Sequence, residues 1–136
     1  MRTYKGKNAW WVIGIFIIYN ILPVIIYFNT NEIVSNIWWS LMWCIYYGFN
    51  IILIPILIKN NIELYDDYFI FYYGFSKQRI DIKDITKIEK SRNPIASSAN
   101  SLDRIHIVTK NKELYVSLKE NDMFIKDINH RKQKEV

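Results

Sequence analysis

Cysteine occurs once in these 136 residues, as Cys44 within an apolar run. A single thiol excludes an intramolecular disulfide and a cysteine-based metal site, and it reads as a small apolar side chain. Histidine occurs only at His106 and His130, too few and too far apart for a metal centre. Glycine is scarce, with four residues, and none falls in a Gly-rich phosphate loop or beside a nucleophile. Asp66-Asp67 is the one conspicuous carboxylate pair, and turn chemistry accounts for it. The chain therefore reads as non-enzymatic, with no metal and no cofactor. A strong charge excess is also missing. The second half is only slightly basic, and its aromatics Tyr68, Phe69, Phe71, Tyr72 and Tyr73 read as two faces of a packed hairpin, which argues against nucleic acid as a partner.

The most informative absence is that of charge from Ala9 to Phe28 and from Ile37 to Ile58. As helices these segments reach ~30 and ~33 Å, enough to cross a hydrocarbon core. Trp10, Trp11 and Tyr27 bracket the first, and Trp38 and Trp39 open the second, as interfacial aromatics do. Arg2, Lys5 and Lys7 precede the first span and Lys59 follows the second, whereas Asn29 to Asn36 contains no Lys or Arg. Basic flanks stay inside. The expectation is a two-span hairpin over residues 1–58, multi-pass in a bacterial cell membrane, with both termini cytoplasmic. The basic start also fits a signal peptide, but no small-residue cleavage site follows and a second span comes at once. Asn20 and Asn50 lie at depths about one helical turn apart, so their amides are expected to bond and hold the hairpin together. Pro23 and Pro55 are expected to bend the spans. The abundance of Ile, Asn and Lys suggests AT-rich coding DNA.

From residue 59 to 136 the pattern becomes strand-like. Ile62–Tyr65 and Tyr68–Tyr73 flank the Asp66-Asp67 turn, and Gly74 ends the second run. Lys77–Ile82, Ile85–Lys90, Arg104–Thr109 and Glu113–Ser117 follow. Ser117-Leu118-Lys119-Glu120 fits a capping box, and Phe124 and Ile128 share one face of the helix beyond it. The predicted fold is α+β: about six antiparallel strands in one curved half-barrel sheet, capped by a C-terminal helix.

Two sets of side chains are candidates for binding. The loop Ser91–Ser101 is longer than a turn needs. With the adjoining strand it gathers Arg92, Asn93, Ser97, Ser98, Asn100 and Arg104 as donors toward a peptide or protein partner. Its alternative role is purely structural, with Ser and Asn satisfying the backbone. Lys77 and Arg79 are candidate contacts to membrane lipid, because the linker from Ile58 to Ile62 spans at most ~13 Å and keeps the domain at the bilayer. Cations there are favoured by anionic headgroups. Oligomeric state is not encoded in any pattern found.

Arg79-Ile-Asp-Ile-Lys-Asp-Ile85, Ser91-Arg-Asn-Pro94, Ser97-Ser98 and Ser101-Leu-Asp-Arg104 resemble the bacterial pleckstrin-homology-like (PH-like) domains of the YyaB-like group, over about Ile62 to Asn129. Leu118 stands where similar sequences tend to have proline. The resemblance implies a membrane-anchored PH-like fold and supplies no catalytic residues. Through a related protein it also implies a link to bacteriocin self-immunity. Lipid-binding PH domains place a basic pair around their first hairpin. Here that turn is acidic and Lys77/Arg79 come one hairpin later, which argues against phosphoinositide recognition. The resulting expectation is a binding module in bacteriocin immunity or envelope defence, the alternative being a scaffold subunit that anchors a partner protein at the inner leaflet.

Overall fold

The computed structural model describes residues 1–29, 37–93 and 100–134. In chain order its elements are β1 (Arg2–Lys5), α1 (Trp10–Asn29), α2 (Ile37–Gly48), α3 (Asn50–Ile58), β2 (Asn60–Leu64), β3 (Tyr68–Tyr73) and β4 (Ser76–Asp81). After a 3-10 turn at Ile82–Asp84 come β5 (Ile85–Ser91), β6 (Arg104–Thr109), β7 (Glu113–Val116) and α4 (Asn121–Lys134).

The strands follow from period-two alternation. Ile62 and Leu64 on β2, Phe69 and Phe71 on β3, Ile105 and Ile107 on β6, and Leu114 and Val116 on β7 all point into one core. The sheet differs from the expected single half-barrel. There are two sheets, one in the order β1-β2-β3-β4 and one in the order β5-β6-β7. The separation falls at Ile82–Asp84, where the 3-10 turn buries Ile82 and carries the chain out of the first sheet. Alternation specifies which face of a strand is buried; it does not specify whether successive hairpins share a sheet.

The strand β1 is a second departure. Arg2–Lys5 pairs antiparallel with β2, from Arg2 opposite Leu64 to Lys5 opposite Asn61. The basic run expected only to flank a span is thus also an edge strand, and Tyr4 is in the core. The helical pair leaves and re-enters the sandwich between two paired strands. At this corner the sheets meet through the Gly6–Leu118 bridge. The Lys7 N–H donates to the Ser117 carbonyl at 2.8 Å and the Lys119 N–H to the Lys5 carbonyl at 3.0 Å.

Helix α4 covers the core with Phe124 and Ile128, as expected. Phe124 meets Tyr4 edge-on at 5.2 Å and Phe69 at 5.6 Å. The expected capping box does not form. The Ser117 hydroxyl donates instead to the Asp103 carbonyl at 2.5 Å, because the chain is still held by the sheet at Leu118. The helix starts at Asn121, whose Oδ1 accepts the Leu118 N–H at 2.9 Å.

Two helical segments, Trp10–Asn29 and Ile37–Ile58, are long and apolar enough to cross a membrane. Almost nothing in them is buried, unlike the core helix of a globular domain. The Asn50 amide donates to Asn20 Oδ1 at 2.6 Å, so the expected pair forms. Tyr19 and Tyr46 stack beside it at 4.2 Å, and each hydroxyl donates to the other residue's carbonyl. Pro23 and Pro55 lie inside helices; the break in the second segment falls at Phe49, just before Asn50.

Candidate functional site

The residues joining the helical pair to the sandwich form a connected polar cluster. Asn100 is 8% exposed. Its amide donates to Asn8 Oδ1 at 2.7 Å and to the Ile56 carbonyl at 3.4 Å, and its Oδ1 accepts the Tyr73 hydroxyl at 2.7 Å. The Asn100 carbonyl accepts the Ala9 N–H. Asn8 in turn donates to the Leu57 carbonyl at 2.7 Å. One side chain therefore ties the start of α1, the end of α3 and the end of β3 together. Burial pushes the Tyr73 hydroxyl pKa up, tempered by the nearby charge of Arg104.

The strand register gives the first sheet a basic rim on the helix side. Lys5 lies opposite Asn61, Asn61 opposite Tyr72, and Tyr72 opposite Lys77. Lys59 joins this row, with Lys59 Nζ 5.4 Å and Lys77 Nζ 5.6 Å from the centre of the Tyr72 ring. Lys7 is also on this rim, paired with Asp103 at 3.1 Å. The far rim carries Asp66, Asp67 and Asp81. There Arg131 binds Asp66 at 2.6 Å, and that bond holds the Asp66 carboxyl below the usual carboxylate range.

The two expected lipid contacts occupy different positions. Lys77 is on the basic rim. Arg79, two residues farther from it on β4, lies 3.8 Å over the Tyr68 ring and 3.2 Å from Asp81.

The expected partner-binding set also divides. Arg92 and Asn93 are exposed at the end of β5, and Ser97 and Ser98 lie outside the described residues. Arg104 is 4% exposed. Its Nε donates to the Ser101 carbonyl and its guanidinium to the Asn93 carbonyl, so it fastens the two sides of the loop base. Asn100 belongs to the junction. His106 stacks on Tyr115 at 4.4 Å and reaches Glu113 at 3.1 Å, outside the core that its neighbours Ile105 and Ile107 enter. Among the described residues no group of His, Cys, Asp or Glu could hold a metal ion.

Sequence reasoning missed Asn8, Tyr73, Lys59 and Asn60 as junction residues. Lys59 carried a signal, a lone cation directly after an apolar span. Asn8 carried none, because its partners are distant in sequence. Asn60 is buried with both amide atoms unpartnered among the described residues. It packs where a side chain on Gly6 would stand, since a Cβ there would lie 2.2 Å from Asn60 Cγ.

Comparison with known families matches residues 61–132 to the bacterial PH domain. The matched stretch is just over half of the chain.

The chain belongs to the bacterial PH domain family.

No curated protein and no solved structure matches it. The match begins inside β2, so among the described residues the PH-domain stretch takes in six of the seven strands and most of α4. The seventh strand comes from the far side of the helical pair. PH domains are typically non-catalytic binding modules that take lipids or proteins, and this places the chain among binding modules.

Proposed function

We propose that this PH-domain protein is a non-enzymatic binding module anchored in a bacterial cell membrane by two spans, with the sandwich and both termini cytoplasmic. The observation that carries the reading is the entry and exit of the exposed apolar helices between β1 and β2, which puts both ends of the pair on one side, at a basic rim. Reporter fusions provide the test. A reporter at Asn31 is expected to be external and one after Val136 cytoplasmic; an external signal at Val136 would defeat the topology.

Within this reading the role is envelope defence, including immunity to a bacteriocin, supported by the resemblance to the YyaB-like group. Arg92 and Asn93 at the exposed end of β5 then offer the contact to a peptide or protein. Expression in a sensitive host is expected to raise tolerance to a membrane-active peptide. Arg92→Ala is expected to lower that tolerance at unchanged protein level, whereas Arg104→Ala is expected to lower the level itself, because it unfastens the loop base. The second reading, a scaffold that anchors a partner protein, is supported by β4, which ends the four-stranded sheet and offers backbone groups for strand addition. A stable co-purified partner with no protection against any peptide would favour it.

A further inference from the structure

The turn between β3 and β4 is set at the level of the last turn of α3. Gly74 adopts φ +58 and approaches Ile56 so closely that a Cβ would lie 2.8 Å from Ile56 Cγ1. Its N–H donates to the Lys59 carbonyl at 2.8 Å. The next residue is Phe75, 75% exposed, and the helix end that the turn meets finishes at Ile58, 79% exposed. No part of the described fold covers this ring. Lys59 and Lys77 lie on the same rim, both over the ring of Tyr72, and neither has a carboxylate partner among the described residues. In water, an exposed phenyl ring on a rim with two unpaired ammonium groups leaves apolar surface unburied. At a bilayer the same arrangement fits the layered chemistry of an interface: apolar ring below, ammonium groups at the phosphates.

Resting on the membrane-anchor reading, we infer that the Gly74–Phe75 turn is a third point of bilayer contact. Phe75 enters the interfacial layer, and Lys59 and Lys77 bind the headgroups of anionic phospholipid. The pair of helices holds the domain at the membrane, and the finger fixes which way it faces. Two helices leaving the sandwich side by side would allow it to rock about the line between them; a contact off that line stops the rocking.

The experiment uses the full chain in vesicles of phosphatidylcholine, with and without phosphatidylglycerol. In a Cys44→Ser background, an environment-sensitive fluorophore is attached at Ser76→Cys, next to an intact Phe75, or at Asp67→Cys on the far rim. The Ser76 label is expected to be several-fold less quenched by aqueous iodide than the Asp67 label, and to be quenched by a lipid-borne quencher near the headgroups. Adding Phe75→Asp, an exposed position outside the core, is expected to abolish that shielding. Lys59→Ala with Lys77→Ala is expected to remove its dependence on phosphatidylglycerol. A Ser76 label as open to iodide as the Asp67 label would overturn the inference, as would shielding that survives Phe75→Asp. A phosphatidylglycerol dependence that survives loss of both lysines would overturn their part in it. All five tryptophans lie between residues 10 and 43, so their quenching by brominated lipid reports on the helices alone. Quenched tryptophans with an open Ser76 label defeat the finger and leave the anchor standing. Unquenched tryptophans defeat the anchor and the finger with it.

Discussion

Single side chains here act as connectors between distant segments. Asn100 is the clearest case, because removing its amide strips a partner from Tyr73, Asn8 and the Ile56 carbonyl at once. A buried polar group left unpaired costs about 1–3 kcal/mol, so Asn100→Ala is expected to lower unfolding stability in detergent by at least that much. Tyr4 connects in the same way, donating its hydroxyl to Asp127, which also receives Arg2 at 2.9 Å. The Tyr4 bond, opposed in part by burial and aided by Arg2, holds the Asp127 carboxyl below the ordinary carboxylate range. A carboxylate depressed in the folded state contributes stability above its unfolded pKa of about 3.9, and loses it as pH falls through the folded value. Tyr4→Phe is therefore expected to destabilise at neutral pH, with the gap to the parent closing below about pH 4 in acid titrations followed by circular dichroism. None of these links was legible in the sequence. A Tyr in a short basic stretch has no local pattern that shows it will be in the core.

At the scale of elements, periodicity carried most of the information. Six strands and the last helix lie within a few residues of where alternation and the Phe124/Ile128 spacing put them, because those signals are local and tied directly to burial. Phe124→Ala is expected to cost ~3–5 kcal/mol and to be visible as a loss of cooperative melting. The Asn20–Asn50 bond was legible for another reason: in an uncharged run a polar residue stands out, and matched depth implies contact. Leu at both positions is expected to show a coupling of ~0.6–2 kcal/mol in a double-mutant cycle; strict additivity would mean that the stacked tyrosines, and not the amides, hold the pair. What failed at this scale was four residues long. A strand of that length cannot be recognised without its partner, and the partner of β1 begins some fifty residues later. The capping box failed because its motif was present while the chain at Leu118 was still bridged to Gly6.

For the whole molecule, the PH-like domain is a sandwich closed by residues from both sides of the helical pair. The same chemistry that made residues 2–7 read as a topogenic flank hides a structural role, since lysine and arginine serve both. A fragment beginning at Lys59 lacks β1, exposes the edge of β2 and loses the Tyr4 ring from beside Phe124. It is expected to show no cooperative melt. Joining residues 1–8 to Lys59 through a short Gly-Ser linker, in place of both helices, is expected to restore one. The gap is small, since Asn8 already bonds Leu57 at 2.7 Å and the Gly6 N–H bonds the Asn60 carbonyl at 2.6 Å. Equal melting of the two versions would show that β1 is dispensable. The candidate site was only half legible at this scale. Arg92 and Asn93 are exposed, whereas Asn100 and Arg104 are committed to the fold, because donor-rich composition cannot separate residues that face solvent from residues that bind the chain itself.

The placement of the helices between β1 and β2 also bears on how the protein is made. During synthesis β1 emerges before both apolar segments and must wait, unpaired, until they have passed. In the proposed topology it meets β2 only if the two segments have inserted as a hairpin with both ends in the same compartment. A chain with one span missed would strand β1 across the bilayer and leave the sandwich open. Under the proposed topology, folding of the domain would act as a proofreading step for insertion, and a misinserted chain would reach the quality-control proteases as an unfolded one.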